Sequence, residues 1–152
     1  MSLREKLDKV LGHILATVMA IMVMNVLWQV FSRYVLGVPS SFTEELARFL
    51  MIWIGVLGAA YVAGHNGHVA INVLVQRSGD RNQRRWKQLV RIAIILFCFF
   101  AMVVGGLRLV YITYLLEQYS PALGLPLAAV YLVIPISGSF IIYYKISDML
   151  TH

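Results

Sequence analysis

The run "VLGHILATVMAIMVMNVLWQVFS", residues 10–32, contains 23 residues and no Asp, Glu, Lys or Arg. About 20 apolar residues in a helix are enough to cross the roughly 30 Å hydrocarbon core of a bilayer. Three further runs of this kind follow, so the expected spans cover about residues 10–32, 49–68, 89–116 and 123–144. The sequence therefore predicts an all-α integral membrane protein, with residues 1–152 forming a single domain of four transmembrane helices.

Composition agrees with this class. The chain is 60% hydrophobic and 13% charged, whereas an ordinary soluble domain is about 25% charged. The first apolar run is longer than the 7–15 residues of a signal-peptide core, so we expect it to remain as a membrane anchor.

The positions of Lys and Arg predict the orientation of the four helices. Arg33 and Arg48 lie on one side of the expected membrane, and Arg108 lies within the third run. The other side and the two termini carry the remaining ten basic residues, and basic residues accumulate in the cytoplasm. We therefore expect both termini in the cytoplasm of a bacterial inner membrane, with no need for nucleic-acid binding to explain the net charge of +6. The ten are Arg4, Lys6, Lys9, Arg77, Arg81, Arg84, Arg85, Lys87, Arg91 and Lys145.

The segment "SSFTEELARFL", residues 40–50, concentrates charge between two apolar runs. Ser41 and Glu44 have the spacing of a helix capping box, and Glu44 and Arg48 are four residues apart in the favourable order. This pattern predicts an amphipathic segment at the outer surface that leads into the second helix. Three functions stay open for Glu44, Glu45 and Arg48: an interface with a partner protein, a structural cap, or part of an ion path. The apolar face consists of Phe42, Leu46, Phe49, Leu50 and Trp53.

Polar residues inside the spans have two interpretations each. One face of the first span could be a substrate path or a row of interhelical hydrogen bonds. Arg108 could extend to the outer headgroups, pair with Glu44, Glu45 or Glu117, or take part in transport. The histidines at the cytoplasmic end could ligate a haem or simply lie at the membrane interface. The polar residues of the first span are His13, Thr17, Asn25, Gln29 and Ser32; the histidines are His13, His65 and His68.

Three segments carry a resemblance to a known family. They are "WQVFSRYVLGVPSSFTEELARFLMIWIGVLGAA" (28–60), "GHVAINVLV" (67–75) and "SPALGLPLAAVYLVIPISG" (120–138). In this order, they resemble the small membrane subunit of the tripartite ATP-independent periplasmic (TRAP) transporters. Asn72 departs from the family pattern, where Asp is frequent, and so does the region 64–66, where basic residues are common.

The resemblance implies a function and a set of partners. In this family a periplasmic substrate-binding protein delivers an organic acid to a large membrane permease subunit that uses a sodium gradient. The small subunit is a scaffold, so we expect no enzymatic activity and no cofactor in this chain, with sodium coupling in the large subunit. The alternatives are a haem-binding anchor of a respiratory enzyme and an autonomous small transporter.

The resemblance also singles out individual positions as interface or structural residues. Apart from Arg108, which is selected by its position inside a span, the candidates are the residues that match the family segments. They are Arg33, Tyr34, Pro39, Glu44, Glu45, Arg48, Trp53, Gly58, His68, Pro121, Gly124, Pro126, Tyr131 and Pro135.

Overall fold

The computed structural model describes residues 3–65 and 80–150, and within these ranges the chain is helical apart from its connections. Between Asp80 and Leu115 the helix continues without interruption through a π-helical segment. The elements are α1 (Leu3–Tyr34), α2 (Ser41–Gly64), α3 (Asp80–Phe97), the π segment (Cys98–Val104), α4 (Gly105–Leu115), α5 (Leu127–Tyr131) and α6 (Val133–Leu150).

Four of the resulting helical stretches are long and apolar enough to cross a membrane, which confirms the predicted all-helical class. In chain order they are span 1 (Arg4–Tyr34), span 2 (Ser41–Gly64), span 3 (Gln88–Leu115) and span 4 (Leu127–Met149). Spans 1 and 2 begin six to eight residues before the predicted starts. Charge-free windows mark the hydrocarbon-length part of a helix, whereas the backbone stays helical into the charged residues beside it.

The residues of the predicted amphipathic segment form the first turns of α2 rather than a separate element. The capping box predicted for Ser41 and Glu44 is wrong by one residue. Ser40 is the N-cap, and its side-chain oxygen accepts a hydrogen bond from the Thr43 amide at 3.4 Å. Pro39 precedes this cap in non-helical backbone, so α2 begins at Ser41.

The spans pack in the order 1, 2, 4, 3. Span 1 packs along span 2, span 2 packs against α6, and α6 packs against the π segment and its flanking helices. Among the described residues, no packing of similar extent joins span 1 to span 3. Span 4 is therefore internal and spans 1 and 3 lie at the edges. This agrees with the buried share of each apolar window, 44% for span 4 against 17% and 11% for spans 1 and 3.

Close packing between spans 3 and 4 depends on small residues. A Cβ atom at Gly138 would lie 2.7 Å from Met102 Cβ in the π segment, and one at Gly106 would lie 3.0 Å from the Pro135 ring. Span 4 is itself interrupted at Leu132, between α5 and α6. Pro135 has no amide proton to bond to the carbonyl four residues earlier, which weakens the helix at this point.

One end of the molecule, here called the aspartate end, is held by buried charged groups. Asp148 Oδ1 accepts a hydrogen bond from Arg4 at 2.8 Å, and Asp148 Oδ2 lies 3.8 Å from the Lys145 ammonium. Lys145 is only 3% exposed, and its ammonium also donates to the Ala63 carbonyl at 3.2 Å. Arg4 donates to the Gly64 carbonyl at 2.6 Å. These carbonyls at the end of α2 carry the negative end of the helix dipole, which favours nearby cations.

The same cluster includes two further contacts, so it connects all four spans. The fully buried Tyr144 donates its hydroxyl proton to Asp8 at 2.6 Å, and Arg91 donates to the Asp148 carbonyl at 3.4 Å. Arg4 and Asp8 belong to span 1, Arg91 to span 3, and Tyr144 to span 4. We infer that this cluster fixes the relative positions of the helices at the aspartate end.

Asp148→Asn should destabilise the protein because it leaves the buried Lys145 without a counter-charge. Removing one partner of a buried ion pair costs about 3 kcal/mol. We expect a clearly lower melting temperature for the purified protein in detergent. Glu44→Gln is the matched control, since its carboxylate is 63% exposed and an exposed pair contributes at most about 1 kcal/mol. Equal melting temperatures for the two variants would contradict the proposed role of the cluster.

Candidate functional site

The opposite end, here called the glutamate end, contains the end of α1, the start of α2 and the connection between α4 and α5. Most of the residues predicted from the sequence lie here. A single buried hydrogen bond anchors α1 to α2: the Asn25 side-chain amide donates to the Thr43 carbonyl at 2.7 Å. Ser32 donates to the Val38 carbonyl at 2.7 Å and so holds the connection between the two helices.

These bonds support the interhelical interpretation of the polar face of span 1. Asn25 bonds to the neighbouring helix, and Ser32 bonds to the connection that follows α1. His13 and Thr17 instead bond to carbonyls of α1 itself, four residues earlier in each case. Four of the five polar groups are thus engaged in structural hydrogen bonds.

The segment Ser120-Pro121-Ala122-Leu123-Gly124 forms one isolated helical turn. Ser120 is its cap, since its side-chain oxygen accepts from the Leu123 amide at 3.3 Å and its carbonyl accepts from the Gly124 amide at 2.8 Å. Pro121 occupies the first position of the turn, where a missing amide proton costs nothing. Gly124 ends it with φ +65°, a backbone conformation that residues with a Cβ rarely adopt. These roles explain the local spacing of the resemblance motif.

Glu45 binds the start of this turn across the molecule. Its Oε2 atom accepts hydrogen bonds from the amides of Ala122 at 2.8 Å and Leu123 at 3.2 Å. Unpaired amides at the start of a helical turn attract anions, so the carboxylate of α2 acts as a cap for a turn 77 residues further along the chain. Glu45 therefore has a structural contact in this fold.

Glu44 and Arg48 have a different environment from Glu45. Their side chains are 63% and 68% exposed and lie 3.5 Å apart, a geometry in which an ion pair contributes little to stability. They border an open cavity of about 220 Å³ whose other lining residues are Ser41, Glu45, Pro121 and Ala122. This part of the surface brings both signs of charge together and leaves them accessible.

The remaining candidates are distributed over both ends. The Trp53 indole donates to the Val130 carbonyl at 3.1 Å, which ties span 2 to α5 next to Tyr131. Pro126 is the residue before α5. Arg33 and Tyr34 are exposed at the end of α1. Three further candidates give no such contact: Gly58 has open space at its Cβ position, Arg108 pairs with none of Glu44, Glu45 and Glu117, and His68 lies outside the described residues.

His13 and His65 border one open groove of about 450 Å³ at the aspartate end. The Nδ1 atom of each ring bonds to the carbonyl four residues earlier, at 2.7 Å in His13 and 3.1 Å in His65. Among the described residues there is no group of three or more His, Cys, Asp or Glu side chains that could hold a metal ion.

Sequence reasoning missed the groups that hold the two ends together. Asp8, Tyr144 and Asp148 were not candidates, and Lys145 was counted only as a cytoplasmic charge. Ser120 was read as part of a motif and not as a cap. A usable signal existed for Asp148, since it is one of only seven acidic residues and follows Lys145 by three positions, a spacing that allows contact on a helix.

Four apolar helices with capped, hydrogen-bonded connections define a multi-pass membrane subunit. Residues 9–152 match the family described as "Tripartite ATP-independent periplasmic transporters, DctQ component". The chain therefore belongs to this family of transporter permease subunits and is not an enzyme. Family membership favours the transporter interpretation over the alternative of a haem-binding anchor.

Individual relatives agree with the family. A putative TRAP transporter small permease protein of Haemophilus influenzae is 28% identical over 137 residues, which cover 90% of this chain and 83% of that protein. The C4-dicarboxylate TRAP transporter small permease protein DctQ of Rhodobacter capsulatus is 31% identical over 107 residues, covering 70% and 47%. The isethionate TRAP transporter permease protein DctMQ of Oleidesulfovibrio alaskensis is 28% identical over 111 residues, covering 70% and only 17%.

Substituting the two adjacent glutamates should separate their roles. Glu45→Ala removes the acceptor of two backbone amides, so we expect the melting temperature in detergent to fall by a few degrees. Glu44→Ala removes only an exposed pairing and should leave the melting temperature unchanged. Glu45→Gln keeps an acceptor oxygen and should lie between Glu45→Ala and the unchanged protein. The assignment of Glu45 as a cap would be wrong if Glu44→Ala were the more destabilising change.

Proposed function

We propose that this chain is the scaffold for the large membrane subunit of a TRAP transporter during sodium-driven, binding-protein-dependent uptake of an organic acid. The observation that carries this proposal is how the polar groups of the spans are used. Asn25, Trp53 and Lys145 each donate to a backbone carbonyl of another helical element. Groups engaged in this way hold helices together, which suits a fixed frame better than a substrate path.

The proposed partners are the large membrane permease subunit and the periplasmic substrate-binding protein. The DctMQ relative supports the first, because its single chain contains a region like this one within a much longer permease protein. The second follows from the tripartite nature of the family. Membrane lipids are the remaining surroundings of the four spans.

An organic acid is the proposed substrate class, and its identity would be set by the partner proteins. The names of two relatives refer to C4-dicarboxylate and isethionate, which are organic anions. Sodium coupling is proposed for the large subunit, and no cofactor is proposed for this chain.

The proposed orientation places the glutamate end in the periplasm and the aspartate end, with both termini, in the cytoplasm. It is supported by the ten basic residues on the side of the termini. In this orientation the exposed pair Glu44 and Arg48 faces the compartment of the binding protein. The carboxylate of Glu45 is occupied by the turn at 122–123, which leaves Glu44 and Arg48 as the accessible charges for docking.

Reconstitution tests the scaffold role. Liposomes that contain this chain alone should show no sodium-driven uptake of organic acids, because its own polar groups serve structural bonds. Adding the cognate large subunit and binding protein should restore uptake, and omitting this chain from the full set should abolish it. Sodium-driven uptake by the purified chain alone would support the autonomous transporter instead.

Cysteine labelling tests the orientation. In a Cys98→Ala background, single cysteines at Asn82 and Gln118 should react with an impermeant maleimide from opposite sides. We expect Gln118→Cys to be labelled in intact spheroplasts and Asn82→Cys only after the membrane is opened. Labelling of Asn82→Cys from outside would reverse the orientation and remove Glu44 and Arg48 from the periplasm.

A further inference from the structure

Arg108 has an environment unlike that of the other basic residues that we have placed. It lies in α4, seven residues before the helix ends at Leu115, and it is the one charged residue in the sequence between Arg91 and Glu117. Its side chain is exposed, and its guanidinium forms no hydrogen bond or ion pair with any residue that the structure describes. A cation within a membrane span normally has a partner, because the hydrocarbon provides none.

The other internal or helix-borne cations have partners within the chain. Arg4 and Lys145 contact Asp148, Arg91 contacts the Asp148 carbonyl, and Arg48 lies beside Glu44. Arg108 is thus a charge that the fold of this chain leaves unpaired, although it lies deeper than Arg48. The fold provides no acidic group for it at the same depth in the described part of span 3.

The surface around Arg108 is apolar and uncovered. Leu107 and Leu109 are 52% and 40% exposed, and Tyr111 and Ile112, one turn further on, are 65% and 40% exposed. Only 11% of the apolar window of span 3 is buried within the chain, against 44% for span 4. Span 3 therefore lies at the edge of the helix row with most of its surface available for a partner.

Geometry favours a partner inside the membrane over headgroups at the nearer end. Arg108 lies about 10 Å before the end of α4, at a rise of 1.5 Å per residue. The Cα–Cβ bond of a helical residue is tilted toward the helix N-terminus, which for α4 is away from the glutamate end. A guanidinium that starts in this direction is better placed for an anion at its own depth.

We propose that Arg108 forms an ion pair with a carboxylate on a membrane helix of the large permease subunit, and that this helix covers the exposed face of span 3. The inference rests on the proposed function, since it requires the large subunit as the partner. Guanidinium and carboxylate groups match in a two-bonded geometry, and such pairs are strong where water is excluded. The surrounding leucines, Tyr111 and Ile112 would supply the apolar part of the contact.

Co-purification of the complete complex tests the pair. A tagged large subunit should retain at least tenfold less Arg108→Leu chain than unchanged chain, because the substitution leaves the partner carboxylate unpaired. Arg108→Lys should retain an intermediate amount. Lys6→Leu is the matched control: it removes the same charge from an exposed residue at the aspartate end and should co-purify normally. Equal retention of Arg108→Leu and the unchanged chain would overturn the inference alone, whereas failure of the unchanged chain to co-purify would overturn the proposed function and this inference together.

Two additional measurements exclude trivial explanations. The isolated Arg108→Leu chain should melt at or above the temperature of the unchanged chain, because leucine suits an exposed apolar face; a large decrease would mean that Arg108 supports the fold instead. Arg108→Glu should regain binding when the contacting Asp or Glu of the large subunit is replaced by Arg. If the Arg108→Leu defect appears only in nanodiscs containing anionic phosphatidylglycerol and not in pure phosphatidylcholine, the anion is a lipid phosphate and the proposal is wrong.

Discussion

The buried cluster around Asp148 is the interaction on which the arrangement of the four helices depends. Hydrocarbon offers no hydrogen bonds, so a charged group near the membrane must pair, reach water or be neutralised. Asp148 contacts Arg4 and Lys145, and both cations also bond to the last carbonyls of α2. One carboxylate therefore brings together the start of span 1, the end of span 2 and the end of span 4, while its own backbone carbonyl engages span 3.

The glutamate end is held by a smaller number of contacts and leaves more charge accessible. Adjacent residues of a helix point in directions about 100° apart, which explains how Glu44 and Glu45 can differ so much. Glu45 points to the turn at 122–123 and binds its amides, while Glu44 remains in water beside Arg48. A structural carboxylate thus lies next to a free one, so a function inferred for the pair as a unit would average two different roles.

The sequence predicted the number and class of the helices because hydrocarbon thickness imposes a minimum length on charge-free runs. It predicted helix starts less well, since the backbone of α2 begins at Ser40 and Ser41 whereas the charge-free run begins at residue 49. It gave no sign of the partners of Glu45 or Asp148. These contacts join residues 77 and 144 positions apart, and neither local pattern nor hydropathy contains the packing order that brings them together.

The packing order also explains why the chain keeps an unpaired arginine without losing its fold. Span 4 lies between spans 2 and 3, so its small residues and its proline meet the π segment and α4 at short distances. Span 3 is fixed by this one side and by Arg91 at the aspartate end, and its other side carries no structural bond among the described residues. A charge on that free side can be retained for a contact with another molecule, because the interactions that hold span 3 in place lie elsewhere. Separation of holding contacts from available surface is what a scaffold requires, and in this chain it follows from the order of four helices.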